Sequence, residues 1–344
     1  MLYVTTRNSR DAYTAHRVLQ DRRGPDGGFF VPFRIPVFSE SEIEALAGKS
    51  FNSCVADVLN LLFSAQLTGY DLDFCIGRRS VRMEMLNQRI LMVECWHNPQ
   101  WEFSKLVDIL TEMLCRDKEK PDEPGDWVEI GVRIAVLFGI FGELIRQGIA
   151  AKDKPVDVSV MSGDFSAPMS AWYARTMGLP IGNIVCSCNE NGNLWDFICH
   201  GHLRTDSVAV QTCVPEADVS FPAGLERLLY SFGGTEEAER FVAAVRQGRT
   251  YFVEDKFLHP MRQGIYATVV SQTRVLNTIP SVFATHRYVL GPGTALAYAG
   301  LQDYRARTGA SRCAIVLSEK SSRLDSNIVM DTLGISQQQF ERLL

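Results

Sequence analysis

The sequence predicts an α/β protein with a large domain on a helix-flanked, mostly parallel sheet, and three observations carry that prediction. Helical and extended patterns alternate along the chain. Compact apolar runs bounded by polar turns read as strands. From residue 156 a strand, a short loop and a helix opening at that loop follow in order, the unit that presents backbone N–H groups to an anion. A chain of 344 residues is long enough for one large or two ordinary domains.

The elements follow from local pattern. Residues 10–22 are loosely helical, and Gly24-Pro25-Asp26-Gly27-Gly28 breaks the chain before a short strand, Phe29-Phe30-Val31, stopped by Pro32. Ser39 opens an acidic first turn suited to a helix start. A helix over 52–67 is predicted from Val55, Val58, Leu59, Leu62 and Phe63, which recur at spacings of 3 and 4. A strand at 89–96 precedes the turn at His97, and a helix over 104–115 places Leu106, Ile109, Leu110 and Met113 on one face. Residues 116–126, charged and with two prolines, read as a linker. A long apolar helix over 127–148 carries the pair Glu129 and Arg133. A strand at 156–161, a loop at 162–168, a helix at 169–177 and a strand at 184–187 complete the regular part. The domains expected are 1–82, 83–155 and 156–344.

Composition excludes several function classes. Apolar residues at 46% and charged residues at 22% are globular values, which excludes a disordered or collagenous chain. A net charge of −5 without a basic block argues against nucleic acid as a partner. The polar start MLYVTTRNSRDAYTAHR lacks the apolar stretch of a secretory signal, so the expectation is an unexported, cytoplasmic protein. The 9 cysteines, odd in number and mostly in apolar runs, read as buried thiols in a reducing compartment. The apolar run 134–142 is far short of the ~20 residues a bilayer needs, so no membrane span is expected. Cys186, Cys188, Cys199, His200 and His202 offer zinc-type ligands, but their spacings match no standard ligand pair, so no metal is assigned.

The segments Tyr3-Val4-Thr5-Thr6-Arg7, Gly24 to Pro32 and Ile35-Pro36 resemble the amino-terminal domain of threonine synthase, a fold type II pyridoxal-phosphate (PLP) enzyme with a tryptophan synthase β-like core. The resemblance continues at Glu94 to Pro99, Ser162-Gly163-Asp164-Phe165, Ala174 to Ile181, Asn189-Glu190-Asn191, Phe221 to Leu229 and Gly291 to Ala295. It covers nearly the whole chain with a gap in the middle, and it implies a PLP cleft. Cofactor contacts would come from Gly163, Asp164, Phe165, Ser166, Asn189 and Ser318, and the substrate pocket would include Pro99, Arg133 and Thr294.

Three departures from the family pattern bear on activity. The family motif His-Gly-Pro-Thr-Leu-Ala-Phe-Lys-Asp, laid without gaps from His97, keeps Pro99 and Phe103 aligned and puts Ser104 at the lysine. A hydroxyl cannot hold the PLP aldehyde as an imine. Shifting the register by one residue would bring in Lys105, otherwise a solvated charge in the first turn of a helix. The phosphate loop Gly-Asn-Phe-Gly-Asn becomes Gly163-Asp164-Phe165-Ser166-Ala167, with Asp164 either facing the phosphate or capping the next helix. The family's small domain and its substrate loop are reduced to little more than the charged linker. His97 is a candidate catalytic residue with an ordinary turn role beside it.

The leading expectation is a threonine synthase-like pseudoenzyme, without PLP, that has lost the phosphohomoserine-to-threonine reaction and binds a small amino-acid-like ligand or a protein partner. The rival expectation is an active enzyme on an amino-acid-like substrate, either a PLP lyase using Lys105 or a PLP-independent catalyst. A third is a subunit completed by association with its own copy or another protein.

Overall fold

A computed structural model describes residues 1–78, 81–96, 98–115 and 126–344. The amino-terminal part forms a three-stranded antiparallel sheet in which β1 (Leu2–Thr5) lies between β2 (Tyr13–Thr14) and β3 (Phe30–Pro32). Helix α1 (Ala15–Gln20) follows β2, and α2 (Glu40–Ala45) starts at a reciprocal cap between Ser39 and Glu42, as the acidic turn predicts. Helix α3 (Phe51–Phe63) buries the predicted stripe of Val55, Val58, Leu59, Leu62 and Phe63, and α4 (Gly69–Ile76) closes this part.

A six-stranded sheet then takes over. Its strands are β4 (Arg82–Asn87), β5 (Ile90–Glu94), β6 (Val156–Met161), β7 (Ile181–Cys188), β10 (Ile265–Val269) and β11 (Ala314–Ser318), in the order β10-β7-β6-β11-β5-β4. All neighbours run parallel except the edge pair β4 and β5. The helices are α5 (Phe103–Leu114), α6 (Asp126–Arg146), α7 (Ser166–Thr176), α8 (Asn193–His200), α9 (Leu225–Arg246), α10 (Asp255–Arg262), α11 (Gln272–His286), α12 (Pro292–Thr308), α13 (Ser326–Leu333) and α14 (Gln337–Leu343). A two-stranded ribbon pairs β8 (His202–Leu203) with β9 (Tyr251–Phe252).

Strand alternation divides the core into two layers. On β7 and β11, Ile184, Cys186, Ile315 and Leu317 face a core shared with α3, α6 and α7, while Val185, Ala314 and Val316 face one shared with α11 and α12. Covered on both faces, these strands read as continuous apolar runs. The segments 1–82, 83–155 and 156–344 meet in the first of these cores, to which Tyr3, Leu91 and Val158 all belong.

Several boundaries differ from the prediction: β7 begins at Ile181 rather than 184 and α3 ends at Phe63 rather than 67. Helix α7 begins at Ser166 rather than 169, because Asp164 Oδ1 accepts the Ser166 N–H at 2.9 Å and starts the helix early. Pro168 then sits in the first turn, where no intrahelical N–H is required. The charged segment 116–125 lies outside the described residues. Asp126, expected at its end, instead opens α6 and pairs with Arg22 at 2.8 Å and Arg23 at 3.3 Å.

Candidate functional site

Parallel α/β sheets place ligands beyond the carboxyl ends of their strands, and two adjoining cavities open here beyond β5, β6 and β11. The first, about 270 Å³, is lined by Ser104, Arg133, Gly163, Asp164 and Lys320, among others. The second, about 230 Å³, is lined by Pro99, Ser318, Glu94 and three arginines, among others. Gly291 and Thr294 border both. Between them Thr294 Oγ1 lies 2.9 Å from Ser318 Oγ, which the Trp96 indole N–H reaches at 3.3 Å.

The structure brings most of the expected site residues to these cavities. In the first turn of α5, Ser104 is on the wall of the first cavity, while Lys105 is exposed and lines neither. Arg133 of α6 lies 4.5 Å above the Phe103 ring and holds Glu129 at 2.9 Å and, on its other nitrogen, Glu319. Burial alone would lower the Arg133 pKa, but the charges of Glu319 and Glu129 raise it overall. Thr294, Ser318 and Pro99 sit where the two cavities meet or in the second.

Three expected contacts, Asn189, Phe165 and Ser166, line neither cavity; the Ser166 hydroxyl is taken by Asp164 at 2.7 Å. Asn189 is 1% exposed and lines neither cavity, because its amide donates to Thr212 at 2.9 Å and Asp218 at 2.6 Å. The Phe165 ring is wholly buried in the core rather than turned to the cavity, and its backbone at φ 79 makes the left-handed turn before α7. His97 lies outside the described residues.

Pattern reasoning did not single out Lys320, Glu216 and Asp325, which the structure brings into the first cavity. Lys320 Nζ is 2.8 Å from Glu216 and 2.9 Å from Asp325. Burial alone would lower its pKa, but the bonds to Glu216 and Asp325 outweigh it and hold the amine charged. A sequence signal was at hand: Lys320 stands two residues after Ser318, inside the segment that replaces the family's carboxy-terminal motif.

This donor set does not fit PLP. The side chain at the aligned lysine position is the Ser104 hydroxyl, and the lysine that does reach the cavity is locked between carboxylates. Two N–H groups of the phosphate loop are already used, Phe165 N–H by the Ser162 carbonyl and Ser166 N–H by Asp164, each at 2.9 Å. Asp164 also accepts the Ser166 hydroxyl at 2.7 Å, so the loop carries an anion of its own. Five carboxylates, Glu102, Asp164, Glu216, Glu319 and Asp325, line the cavity against the two cations Arg133 and Lys320.

The chain was compared with known proteins. The family model described as "Threonine synthase N terminus" matches residues 2–79. Threonine synthase-like 1 of Homo sapiens is 29% identical over 198 residues, 56% of this chain and 26% of that protein. Residues 2–79 thus match the amino-terminal part of threonine synthases. Threonine synthase of Eremothecium gossypii is 29% identical over 152 residues, 40% of this chain and 30% of that protein. The alignments thus span about a quarter to a third of the length of these relatives.

The fold is that of threonine synthases. PLP-bound threonine synthase from Brucella melitensis superposes with a TM-score of 0.86 at 18% identity, over 97% of this chain and 92% of that one. Yeast threonine synthase gives a TM-score of 0.82 at 18% identity, over 99% and 91%. Among the described residues no helix is long and apolar enough to cross a membrane. Cys186 and Cys188 are fully buried in β7, and burial pushes the Cys188 thiol up to about 12.

Proposed function

We propose that this threonine synthase-like chain binds a small amine-bearing ligand of amino-acid size in the cavity at Ser104 and has lost the lysine-tethered PLP chemistry that makes threonine from phosphohomoserine. One observation carries the reading: Ser104 faces the cavity while Asp164 occupies the phosphate loop. A phosphate ~4 Å from the Asp164 carboxylate would meet repulsion of about 4 kcal/mol per unit charge at an effective dielectric of ~20. That cancels several hydrogen bonds. Even with Lys320 paired to Glu216, Asp325 and, at 3.9 Å, Glu102, the five carboxylates outnumber the two cations, and that excess of negative charge attracts an ammonium group.

The test uses the full chain with added PLP and O-phosphohomoserine. The expected result is no threonine, and no PLP adduct after borohydride reduction and peptide mass spectrometry. Threonine formation, or an adduct on Lys105 or Lys320, would overturn the reading.

A further inference from the structure

We propose that the second cavity is a binding site for an acidic α-amino acid, a reading that goes beyond the one given for the cavity at Ser104 and stands independently of it. Its volume of about 230 Å³ is below the ~300 Å³ at which drug-sized pockets begin, so it suits a ligand of amino-acid rather than nucleotide scale.

Three guanidinium groups line it, from Arg82 on β4, Arg287 at the end of α11 and Arg323 beyond β11. None is saturated by protein carboxylates. Arg82 is 3.8 Å from Glu94, and Arg323 is 4.0 Å from Glu341, both at the limit of an ion pair. Arg287 packs 5.5 Å over the Phe283 ring and has no ion pair among the described residues.

Glu94, at the carboxyl end of β5, is the acidic side chain of the same cavity, which Leu344 at the end of the sequence also lines. It is 6% exposed, and its Oε1 accepts the Tyr288 hydroxyl at 2.8 Å. Its Oε2 has no hydrogen bond to a described residue.

These groups define the ligand by charge. Guanidinium forks suit carboxylates, which they bind through paired N–H donors. The Oε2 of Glu94 suits an ammonium group. A ligand with two carboxylates and one ammonium satisfies both sides. A bare phosphate would pair with the arginines but bring a like charge toward Glu94, and a neutral amino acid would leave guanidinium groups unmatched.

L-aspartate and succinate separate the two halves of the argument, since succinate keeps both carboxylates and lacks the ammonium. Calorimetric titration of the full chain is expected to show L-aspartate binding at least about tenfold tighter than succinate. Glu94→Gln, which keeps an acceptor for Tyr288, is expected to abolish that preference. Arg287→Ala, at an exposed position, is expected to weaken both ligands about tenfold, with thermal melts confirming that each variant folds. Equal affinity for the two acids, no binding of either, or unchanged binding in Arg287→Ala would overturn the proposal. Neither the threonine assay nor the borohydride assay enters this experiment, so either reading can fail while the other stands.

Discussion

At the scale of single residues, Asp164 links stability to the altered chemistry. Its two oxygens take the Ser166 N–H and hydroxyl, and so do the work of a helix cap just before α7. Asp164→Ala frees both donors and is expected to cost about 1 kcal/mol, the usual loss for a cap, measured by urea denaturation. An unchanged midpoint would mean that water replaces the carboxylate at no cost. The two roles the sequence left open for Asp164 coexist: its carboxylate bonds Ser166 beside the start of α7 and also stands on the wall of the first cavity. The place of Ser104 at the cavity was legible because Pro99 and Phe103 hold the ungapped register just before it. Lys320 was not, since its partner Glu216 is 104 residues away in the sequence and no local pattern pairs them. Asn189 misled because its contacts with Thr212 and Asp218 depend on a loop more than twenty residues downstream.

At the scale of elements, strands covered on both faces were easy to read and the edge of the sheet was not. β5 announced itself as an apolar run and β6 as valines alternating with Asp157 and Ser159, whereas β4 buries only Leu86 and reads as a mixed polar segment. The ribbon of β8 and β9 is two residues a side, too short for a period to register. Helix α12 shows what such patterns hide. It lies so close to the sheet that a Cβ on Gly300 would come within 1.9 Å of Ser187 Oγ and 2.6 Å of Thr268 Oγ1. Alanine suits a helix better than glycine by about 1 kcal/mol in isolation. Here the clash is with side chains of β7 and of the edge strand β10, and relief requires α12 to lift off them. Gly300→Ala is therefore expected to destabilise the fold by about 2 kcal/mol, within the range for overpacked cores. Chemical denaturation checks the sign: a gain in stability would mean the helix moves freely.

At the scale of the whole molecule, the amino-terminal part and the sheet domain are one cooperative structure rather than two tethered ones. Trp127 of α6 joins them through edge contacts, 5.7 Å from the Tyr3 ring of β1 and 5.2 Å from the Tyr173 ring of α7. A polar clamp acts beside it. Glu226 of α9, 2% exposed, accepts from Arg7 at 3.0 and 2.8 Å and from the Thr6 hydroxyl. Buried carboxylates of this kind are costly to leave unmatched, and removing one partner typically costs about 3–5 kcal/mol. Arg7, with 17% of its side chain exposed, can still turn toward water, which puts Glu226→Ala near the lower end, at about 3 kcal/mol. Because the aromatic contacts and shared core remain, the loss is expected to lower one common transition. Calorimetry and Trp127-weighted fluorescence should then report the same midpoint in the wild-type chain and a lower, still single, midpoint in Glu226→Ala. Two separated transitions in either protein would show that the amino-terminal sheet unfolds on its own and that the ring contacts through Trp127 do not couple it to the rest.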